Sequence, residues 1–219
     1  MNELFYQLKS ELESKGVILV TISKTKPPSE ILKVYNAGQR IFGENKVQEL
    51  TEKQKLLPDD IQWHLVGHLQ TNKVKYIASF VQLIHSVDSF RLLVEINNQA
   101  KKHNRIIKVL LQIYIAREET KFGLTFEEAK SLLEDNRLEV LQNILICGMM
   151  GMATLTADEL QVHREFSSLR IFFKEMKSLK RKNYNPEILS MGMSGDYQIA
   201  IAEGSNMVRI GSAIFGERI

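Results

Sequence analysis

Short apolar runs alternate with longer helical stretches along the whole 219-residue chain. Eight runs are short enough to be β-strands, at residues 17–22, 40–42, 61–66, 80–85, 106–113, 141–147, 187–190 and 207–210. Seven stretches between them carry apolar residues at helical spacing, at residues 29–36, 44–55, 71–78, 89–103, 126–135, 157–180 and 195–202. Several strand candidates are uninterrupted apolar runs, which is expected when both faces of a parallel sheet are covered.

This alternation predicts an α/β fold in which the chain forms a single (β/α)8 TIM-type barrel, one domain spanning residues 1–219. The N-terminus has Leu4, Leu8 and Leu12 at helical spacing among acidic residues, so we expect an extra N-terminal helix and not a signal peptide. No Ser/Gly linker or internal repeat divides the chain. An open, doubly wound sheet is the alternative, but its first turn is usually glycine-rich, and here that turn reads Ser-Lys-Thr-Lys at 23–26.

Composition and charge argue against several functional classes. The single cysteine, Cys147, lies in an apolar run, so we expect a buried core residue, no internal disulfide and a reducing compartment. No segment reaches the roughly 18 uninterrupted apolar residues of a membrane span, so we expect a cytoplasmic protein without a membrane partner. The net charge of +3 is modest and the basic clusters at 101–105 and 177–182 lack interleaved aromatic residues, so no nucleic-acid partner is expected.

Two glycine-containing segments follow the last two predicted strands. Strand seven runs into Leu-Ser-Met-Gly-Met-Ser-Gly-Asp at 189–196, where glycine lets backbone N–H groups approach an anion and Ser194 could cap the next helix. Strand eight opens into residues 211–216, which offer further N–H donors and the Ser212 hydroxyl. Tight turns would explain either segment alone. Their joint position at the carboxyl ends of strands seven and eight predicts a phosphate site, since barrels often bind phosphate there.

Lys24 directly follows the first predicted strand, and a closed barrel places strand one beside strand eight. A lysine amine has a pKa of about 10.4, but partial desolvation near a cation such as Lys26 can lower it enough to attack an aldehyde. An ordinary surface lysine is the alternative. Arg209 lies two positions before Gly211 and could point inward, where it would keep an adjacent pyridine nitrogen unprotonated. A salt bridge at the barrel rim would explain Arg209 equally well.

Seven short strings occur in order over almost the whole chain. They are ISKTKP at 22–27, FGEN at 42–45, VQE at 47–49, WHLVGHLQTNK at 63–73, HSVD at 85–88, LSMGMS at 189–194, and RIG at 209–211 with FG at 215–216. Any one of them could arise by chance. The ordered set closely resembles the pyridoxal phosphate homeostasis protein family, whose barrel is similar to the N-terminal domain of alanine racemase.

The resemblance implies a cofactor and a set of residues that hold it. It implies that Lys24 carries pyridoxal 5'-phosphate as a Schiff base and that Arg209 faces the pyridine nitrogen. The other implied cofactor-binding residues are Asn45, near the ring, and Ser194, Gly211 and Ser212, at the phosphate. Members of the family are understood to bind and distribute the cofactor in vitamin B6 and amino-acid homeostasis, so apo-enzymes that use it are candidate partners.

The chain departs from the family pattern at three places. The family usually has tyrosine after Phe-Gly-Glu-Asn, whereas this chain has Lys46, and a Gln-Val-Asn on the fifth strand is replaced by Gln112-Ile113-Tyr114. The turn at 116–120 also differs, so no role is transferred to it. These departures leave the implied cofactor contacts in place and change the edge of the pocket.

Turnover of an amino acid by this kind of barrel requires a second base. In a racemase a tyrosine opposes the lysine, supplied by a C-terminal domain across a dimer. Because the chain stops at Ile219, we expect no such domain, a site open to water, a monomer, and a carrier or regulator with no catalytic residues. The alternatives are a weak alanine-racemase-like or transaminase-like enzyme, with Tyr114 or His64 as partner of Lys24, and a lysine-dependent aldolase acting on a sugar phosphate.

Two other residue groups have simpler explanations than chemistry. His64 and His68 span a strand end and a glycine, not a helix face, so no zinc site is expected from them together with His85. The methionines in the segment 148–152 are typical of flexible core packing near the end of the sixth strand.

Overall fold

The computed structural model describes residues 3–117 and 122–216, and eight parallel strands within them close into a barrel. Each strand pairs with the next along the chain, and the last pairs with the first. The strands are β1 (Ile18–Ile22), β2 (Ile41–Glu44), β3 (Gln62–Leu65), β4 (Leu83–Val87), β5 (Ile107–Ile113), β6 (Ile144–Gly151), β7 (Tyr184–Ser190) and β8 (Met207–Ile210). The predicted TIM-type (β/α)8 fold is confirmed, and the open doubly wound sheet is excluded.

Helices surround the barrel, and one of them precedes the first strand as predicted. The α-helices are α1 (Glu3–Ser14), α2 (Pro28–Asn36), α3 (Val47–Leu56), α4 (Phe90–Lys102), α5 (Phe126–Glu134), α6 (Glu159–Met176), α7 (Tyr197–Ala202) and α8 (Ser212–Phe215). Two 3-10 helices, Thr71–Tyr76 and Asn136–Val140, complete the connections. The stretch 71–78 was predicted from its helical spacing, and the structure shows that it forms a short 3-10 turn rather than an α-helix.

Several strand boundaries differ from the predicted ones because polar residues interrupt the apolar runs. Strand β2 extends two residues past the predicted end, so Glu44 is a fully buried strand residue and not the start of a helix. Strand β4 likewise continues past His85 to Val87. Strand β7 begins at Tyr184, three residues before the predicted start at 187, so Pro186 lies inside the strand.

Alternate strand residues separate an inner from an outer apolar layer. The inner cluster fills the barrel with six buried side chains, Val20, Leu83, Leu110, Cys147, Met150 and Met207. The outer cluster lies between the strands and the helices. Cys147 is thus a buried core residue, as predicted, and burial raises the pKa of its thiol to about 11. The thiol therefore stays protonated and unreactive at neutral pH.

A bulge in β6 changes which residues face the interior. Between Ile146 and Gly148 the pairing register shifts against both neighbouring strands, β5 and β7. Gly148 has a φ of +154°. A Cβ at this position would collide with the carbonyl oxygen of Ile188 on the neighbouring strand. After the bulge, Met150 points into the barrel. The carbonyl of Gly151 accepts a hydrogen bond from Arg209 on β8.

Candidate functional site

A cavity of about 460 Å³ lies at the carboxyl ends of the strands. It is the end at which TIM barrels hold their ligands. All six residues predicted to contact a cofactor line it, namely Lys24, Asn45, Ser194, Arg209, Gly211 and Ser212. They come together because β8 pairs with β1, which brings Lys24 beside the two glycine-containing loops.

Lys24 lies two residues beyond β1 and is half-buried at the cavity wall. The preceding residue, Ser23, is fully buried, and its N–H donates to the carbonyl of Gly43 at 3.0 Å. Lys26 does not contribute to the cavity lining. Its ammonium donates to the carbonyl of Phe215 at 3.3 Å and lies 3.9 Å from a carboxylate oxygen of Glu30. The cation that the sequence suggested beside Lys24 is therefore directed toward α8 and α2.

The loop after β7 is fixed by its own acidic residue. The N–H of Met193 donates to Oδ1 of Asp196 at 2.6 Å. The prediction that Ser194 caps the next helix is wrong, because α7 begins at Tyr197 with Asp196 at the N-cap position. Gly195 borders the cavity, and a Cβ placed on it would meet no atom within 4 Å. Ser194 and the backbone of Gly195 are therefore open to a ligand.

The loop after β8 brings a helix start to the same cavity. Helix α8 begins at Ser212, and the first N–H groups of any helix have no acceptor within the helix. A Cβ on Gly211 would lie 2.9 Å from the carbonyl oxygen of Ile22, so only glycine fits where β8 meets β1. Hydroxyl and backbone N–H donors converging from Ser194, Gly195 and Ser212 form a set that suits a phosphate dianion.

Arg209 enters the cavity from inside the barrel. The residue is 4% exposed. Its Nη1 donates to the carbonyl of Ser190 at 3.0 Å and to the Oγ of Ser190 at 2.7 Å. Its Nη2 donates to the carbonyl of Gly151 at 3.1 Å. Burial lowers the pKa of Arg209 to about 10, a shift that Asp196 partly opposes. The side chain is thus a fixed cation at neutral pH. The predicted inward orientation of Arg209 is confirmed.

Two buried histidines continue this polar arrangement across the interior. The Oγ of Ser190 lies 3.4 Å from Nδ1 of His85, whose Nε2 lies 3.0 Å from Nδ1 of His64. Burial lowers the pKa of His64 to about 3, with a further contribution from Lys108. Burial, His64 and Arg209 lower the pKa of His85. Both imidazoles are therefore neutral at pH 7.

Sequence reasoning missed several residues of the cavity wall. These are Ile22, Val66, Gly67, His68, Phe122 and Met152. Gln112, Met193 and Gly195 also line the cavity, and they belong to segments that the sequence had already assigned to the pocket. His68 and Phe122 stack with their ring centroids 4.3 Å apart, and Nδ1 of His68 lies 3.3 Å from Oδ2 of Asp88. The position of His68 after β3 was the available signal. Nothing in the sequence indicated Phe122, which follows the altered turn.

The two residues suggested as a second base do not line this cavity. His64 is 3% exposed in the barrel interior, and Tyr114 borders an adjoining crevice that shares Gln112, Phe122 and Met152 with the cavity. Among the lining residues that the structure describes, His68 is the one remaining candidate for proton transfer beside Lys24.

A larger surface cleft, of about 1050 Å³, lies at the opposite end of the barrel. It is lined by the basic segment Lys177–Lys182 together with residues at the amino ends of β6 and β7, such as Ile144 and Tyr184. Its size does not make it the ligand site. Conserved chemistry in this fold belongs to the carboxyl ends of the strands, and Lys24 lies there.

Over residues 3–117 and 122–216, no group of three or more His, Cys, Asp or Glu side chains is arranged to hold a metal ion. Within the same ranges, the helices are all too short or too polar to cross a membrane.

Known proteins resemble this chain over nearly its whole length. The family described as "Alanine racemase, N-terminal domain" matches residues 14–219. A pyridoxal phosphate homeostasis protein from Aquifex aeolicus is 42% identical over 203 residues, covering 91% of this chain and 86% of that protein. One from Schizosaccharomyces pombe is 35% identical over 214 residues, covering 97% and 89%.

A solved structure agrees with this assignment. PipY of Synechococcus elongatus, determined with PLP bound, superimposes with a TM-score of 0.87 at 35% identity, covering 98% of this chain and 99% of that one. The same protein determined without PLP gives a TM-score of 0.90 at 36% identity. The fold, the ordered strings and these similarities agree, and the chain belongs to the pyridoxal phosphate homeostasis protein family, within the broader family of alanine racemase N-terminal domains.

Proposed function

We propose that this chain binds pyridoxal 5'-phosphate as a Schiff base on Lys24 and acts as a carrier or regulator of the cofactor in vitamin B6 and amino-acid homeostasis. The observation that carries the proposal is the convergence of Lys24 with the loops after β7 and β8 on one cavity. An amine beside a phosphate-binding loop pair suits a ligand that has both an aldehyde and a phosphate ester.

The remaining wall of the cavity supports roles for two more residues. We assign Asn45 a position beside the ring of the cofactor and Arg209 a position at its pyridine nitrogen. The phosphate ligands in this proposal are Ser194, Gly211 and Ser212. The hydrogen bonds from Arg209 to Ser190 and Gly151 hold its guanidinium in one orientation, so it would meet the ring as a preformed donor.

The charge on Arg209 favours binding over turnover. When bound, the cofactor supplies an aldehyde that condenses reversibly with amines and a ring that withdraws electrons from the carbon beside the imine. A guanidinium with a pKa of about 10 gives up no proton to the ring nitrogen at neutral pH. The ring would thus remain a weak electron sink, which slows the removal of a proton from a substrate.

The known relatives support the same conclusion. Those from Aquifex aeolicus and Schizosaccharomyces pombe are named as homeostasis proteins and not as enzymes, and PipY has been determined with PLP bound. In the cell we propose a cytoplasmic, single-domain monomer that releases the cofactor to apo-enzymes.

Reduction with borohydride tests the covalent step directly. The protein is incubated with pyridoxal 5'-phosphate, reduced, digested and examined by peptide mass analysis, with Lys24→Ala and the matched Lys26→Ala compared with the unchanged chain. We expect a phosphopyridoxyl adduct on Lys24 that is lost in Lys24→Ala and kept in Lys26→Ala. An adduct on a different lysine overturns the assignment.

Assays of turnover distinguish a carrier from the alternative of a weak alanine-racemase-like enzyme. The cofactor-loaded protein is incubated with L-alanine, and D-alanine is measured over time beside Lys24→Ala. A carrier gives no difference between the two proteins. Steady production of D-alanine that depends on Lys24 replaces the carrier proposal with the enzyme.

A further inference from the structure

The residues on both sides of Lys24 are held by groups that lie outside the cavity. Ser23 precedes Lys24 and Thr25 follows it. Ser23 donates a hydrogen bond to a side chain of β2 and accepts one from a side chain of α3, and Thr25 donates one to another side chain of α3. These side chains are Glu44, Glu49 and Lys53, none of which lines the cavity. The cofactor contacts therefore do not explain why these charged groups are gathered here.

Lys53 is the centre of this arrangement. Its side chain is 7% exposed, and its ammonium donates to the carbonyl of Ser23 at 2.7 Å, to Oε1 of Glu44 at 2.8 Å and to Oε1 of Glu49 at 2.7 Å. All three protons of the ammonium thus have acceptors. A buried lysine with a complete set of partners fixes the positions of the groups that it joins.

Glu44 holds the residue before Lys24. It is fully buried, and its Oε1 accepts a hydrogen bond from Oγ of Ser23 at 2.5 Å as well as one from Lys53. Its other oxygen has no partner among the residues that the structure describes. Burial raises the pKa of Glu44, and the bonds from Lys53 and Ser23 oppose that shift. A buried ion pair is often less stabilising than apolar side chains of the same size, so stability alone is a poor reason for this pair.

Glu49 holds the residue after Lys24. Thr25 has a φ of +67°, a left-handed backbone conformation that is rare for a β-branched residue. The Oε1 of Glu49 accepts a hydrogen bond from the N–H of Thr25 at 2.5 Å. A strained backbone persists only where its surroundings determine it, and such residues are concentrated at functional sites. Here the strained turn begins directly at Lys24.

We infer that Glu44, Glu49 and Lys53 are positioning residues that clamp the peptide groups on both sides of Lys24 and direct its amine toward the phosphate loops. This inference rests on the proposed function and adds residues to it. The phosphate loops hold the ligand, and the clamp sets where the amine meets its aldehyde. Orienting two reacting groups in advance removes part of the entropy cost of joining them.

The clamp predicts a selective effect on aldehyde ligands. Glu49→Ala removes the acceptor for Thr25, and Glu52→Ala on the same helix removes an equal charge at an exposed position. Each protein is titrated with pyridoxal 5'-phosphate, followed by absorbance, and with pyridoxine 5'-phosphate, followed by calorimetry. The second ligand has an alcohol in place of the aldehyde, so it reports the noncovalent contacts to the phosphate and the ring without the Schiff base.

We expect Glu49→Ala to bind the aldehyde about tenfold more weakly and the alcohol as well as the unchanged chain does, since the hydrogen bonds from Thr25 and Lys53 to the carboxylate are lost. Glu52→Ala leaves both affinities unchanged. Glu49→Gln keeps an oxygen that can accept from Thr25, so it restores aldehyde binding to within about threefold of the original value.

Two results overturn the clamp. One is that Glu49→Ala binds the aldehyde as tightly as Glu52→Ala does. The other is that Glu49→Ala weakens the binding of aldehyde and alcohol equally, which indicates general damage to the fold. Borohydride labelling of the unchanged chain separates this inference from the proposed function. Labelling on Lys24 with no effect of Glu49→Ala ends the clamp alone, whereas labelling elsewhere ends both.

Discussion

Nε2 of His85 and Nδ1 of His64 lie 3.0 Å apart in the barrel interior, where the two side chains are 0% and 3% exposed. One ring nitrogen donates and the other accepts, so the accepting imidazole must be neutral, and burial lowers the pKa of both rings and keeps the donor neutral as well. An added proton would place a charge in an apolar interior close to Lys108 and Arg209.

The histidine pair predicts that acid destabilises the fold. The pKa of His64 is about 3 in the folded chain and about 6.5 in the unfolded one, so the unfolded chain binds more protons between these values. The stabilising effect of His64 is complete above pH 6.5 and is lost as the pH falls toward 3. The free energy of unfolding should fall by about 1.4 kcal/mol per pH unit for each such histidine. Urea unfolding of the cofactor-free protein between pH 8 and 5 measures this slope.

Carboxylates also titrate at the acid end, so a comparison is needed. The double variant His64→Gln and His85→Gln should show a shallower slope between pH 6.5 and 5. In the unchanged chain, the imidazole resonance of His64 should not move in an NMR titration over the same range. A resonance that titrates near pH 6.5 is incompatible with the buried pair.

The bulge in β6 predicts an intolerance of side chains at Gly148. Gly148→Ala should lower the free energy of unfolding by roughly 2–4 kcal/mol, since its Cβ meets the backbone of Ile188 and neither strand can move without breaking the barrel. Gly16 is the matched control, because it also has a positive φ but no atom within 4 Å of its Cβ. Gly16→Ala should cost about 1 kcal/mol. Equal costs in urea unfolding would show that the close approach at Gly148 does not exist.

The phosphate loops predict sensitivity to added negative charge. Ser194→Asp should weaken the binding of pyridoxal 5'-phosphate and of inorganic phosphate at least tenfold, on the order of 1.4 kcal/mol, because a carboxylate then faces the dianion. Ser178→Asp carries the same change in charge on an exposed residue after α6 and should bind both ligands normally. Calorimetric titration of the three proteins measures the difference. Normal binding by Ser194→Asp would remove that loop from the site.

The guanidinium of Arg209 predicts the electronic state of the bound cofactor. Arg209→Glu replaces the cation at the proposed position of the ring nitrogen with an acid, which favours protonation of that nitrogen. The visible absorption of the loaded protein should therefore shift, while the phosphopyridoxyl label remains on Lys24. Circular dichroism checks that the variant is folded. An unchanged spectrum from a folded, loaded variant would mean that Arg209 does not face the ring.

Much of this architecture could be predicted because it depends on chain order alone. The alternation of strands and helices fixes which strand ends are neighbours, so Lys24 and the loops beginning at Ser194 and Gly211 could be assigned to one cavity before any coordinates. The inward orientation of Arg209 was one of two expectations from its place on β8, two positions before Gly211.

What could not be predicted depends on register and on contacts between distant elements. Glu44 ends an apolar run, and nothing local distinguishes a buried strand glutamate from the start of a helix. The contact between His64 and His85 depends on how β3 and β4 align, and the bulge at Gly148 depends on the register of β6 against β5 and β7. Phe122 lines the cavity just beyond the segment 116–120, whose sequence departs from the family pattern and offered no signal for it.

The seam between β1 and β8 has a consequence for biosynthesis. During translation Lys24 emerges just after the first strand, whereas the two loops proposed to bind phosphate emerge only after the seventh and eighth strands. A nascent chain released before residue 187 would carry the amine without an anchor for the phosphate. Under the proposed function, the cofactor is therefore held only once the barrel has closed, and a truncated copy would not retain it.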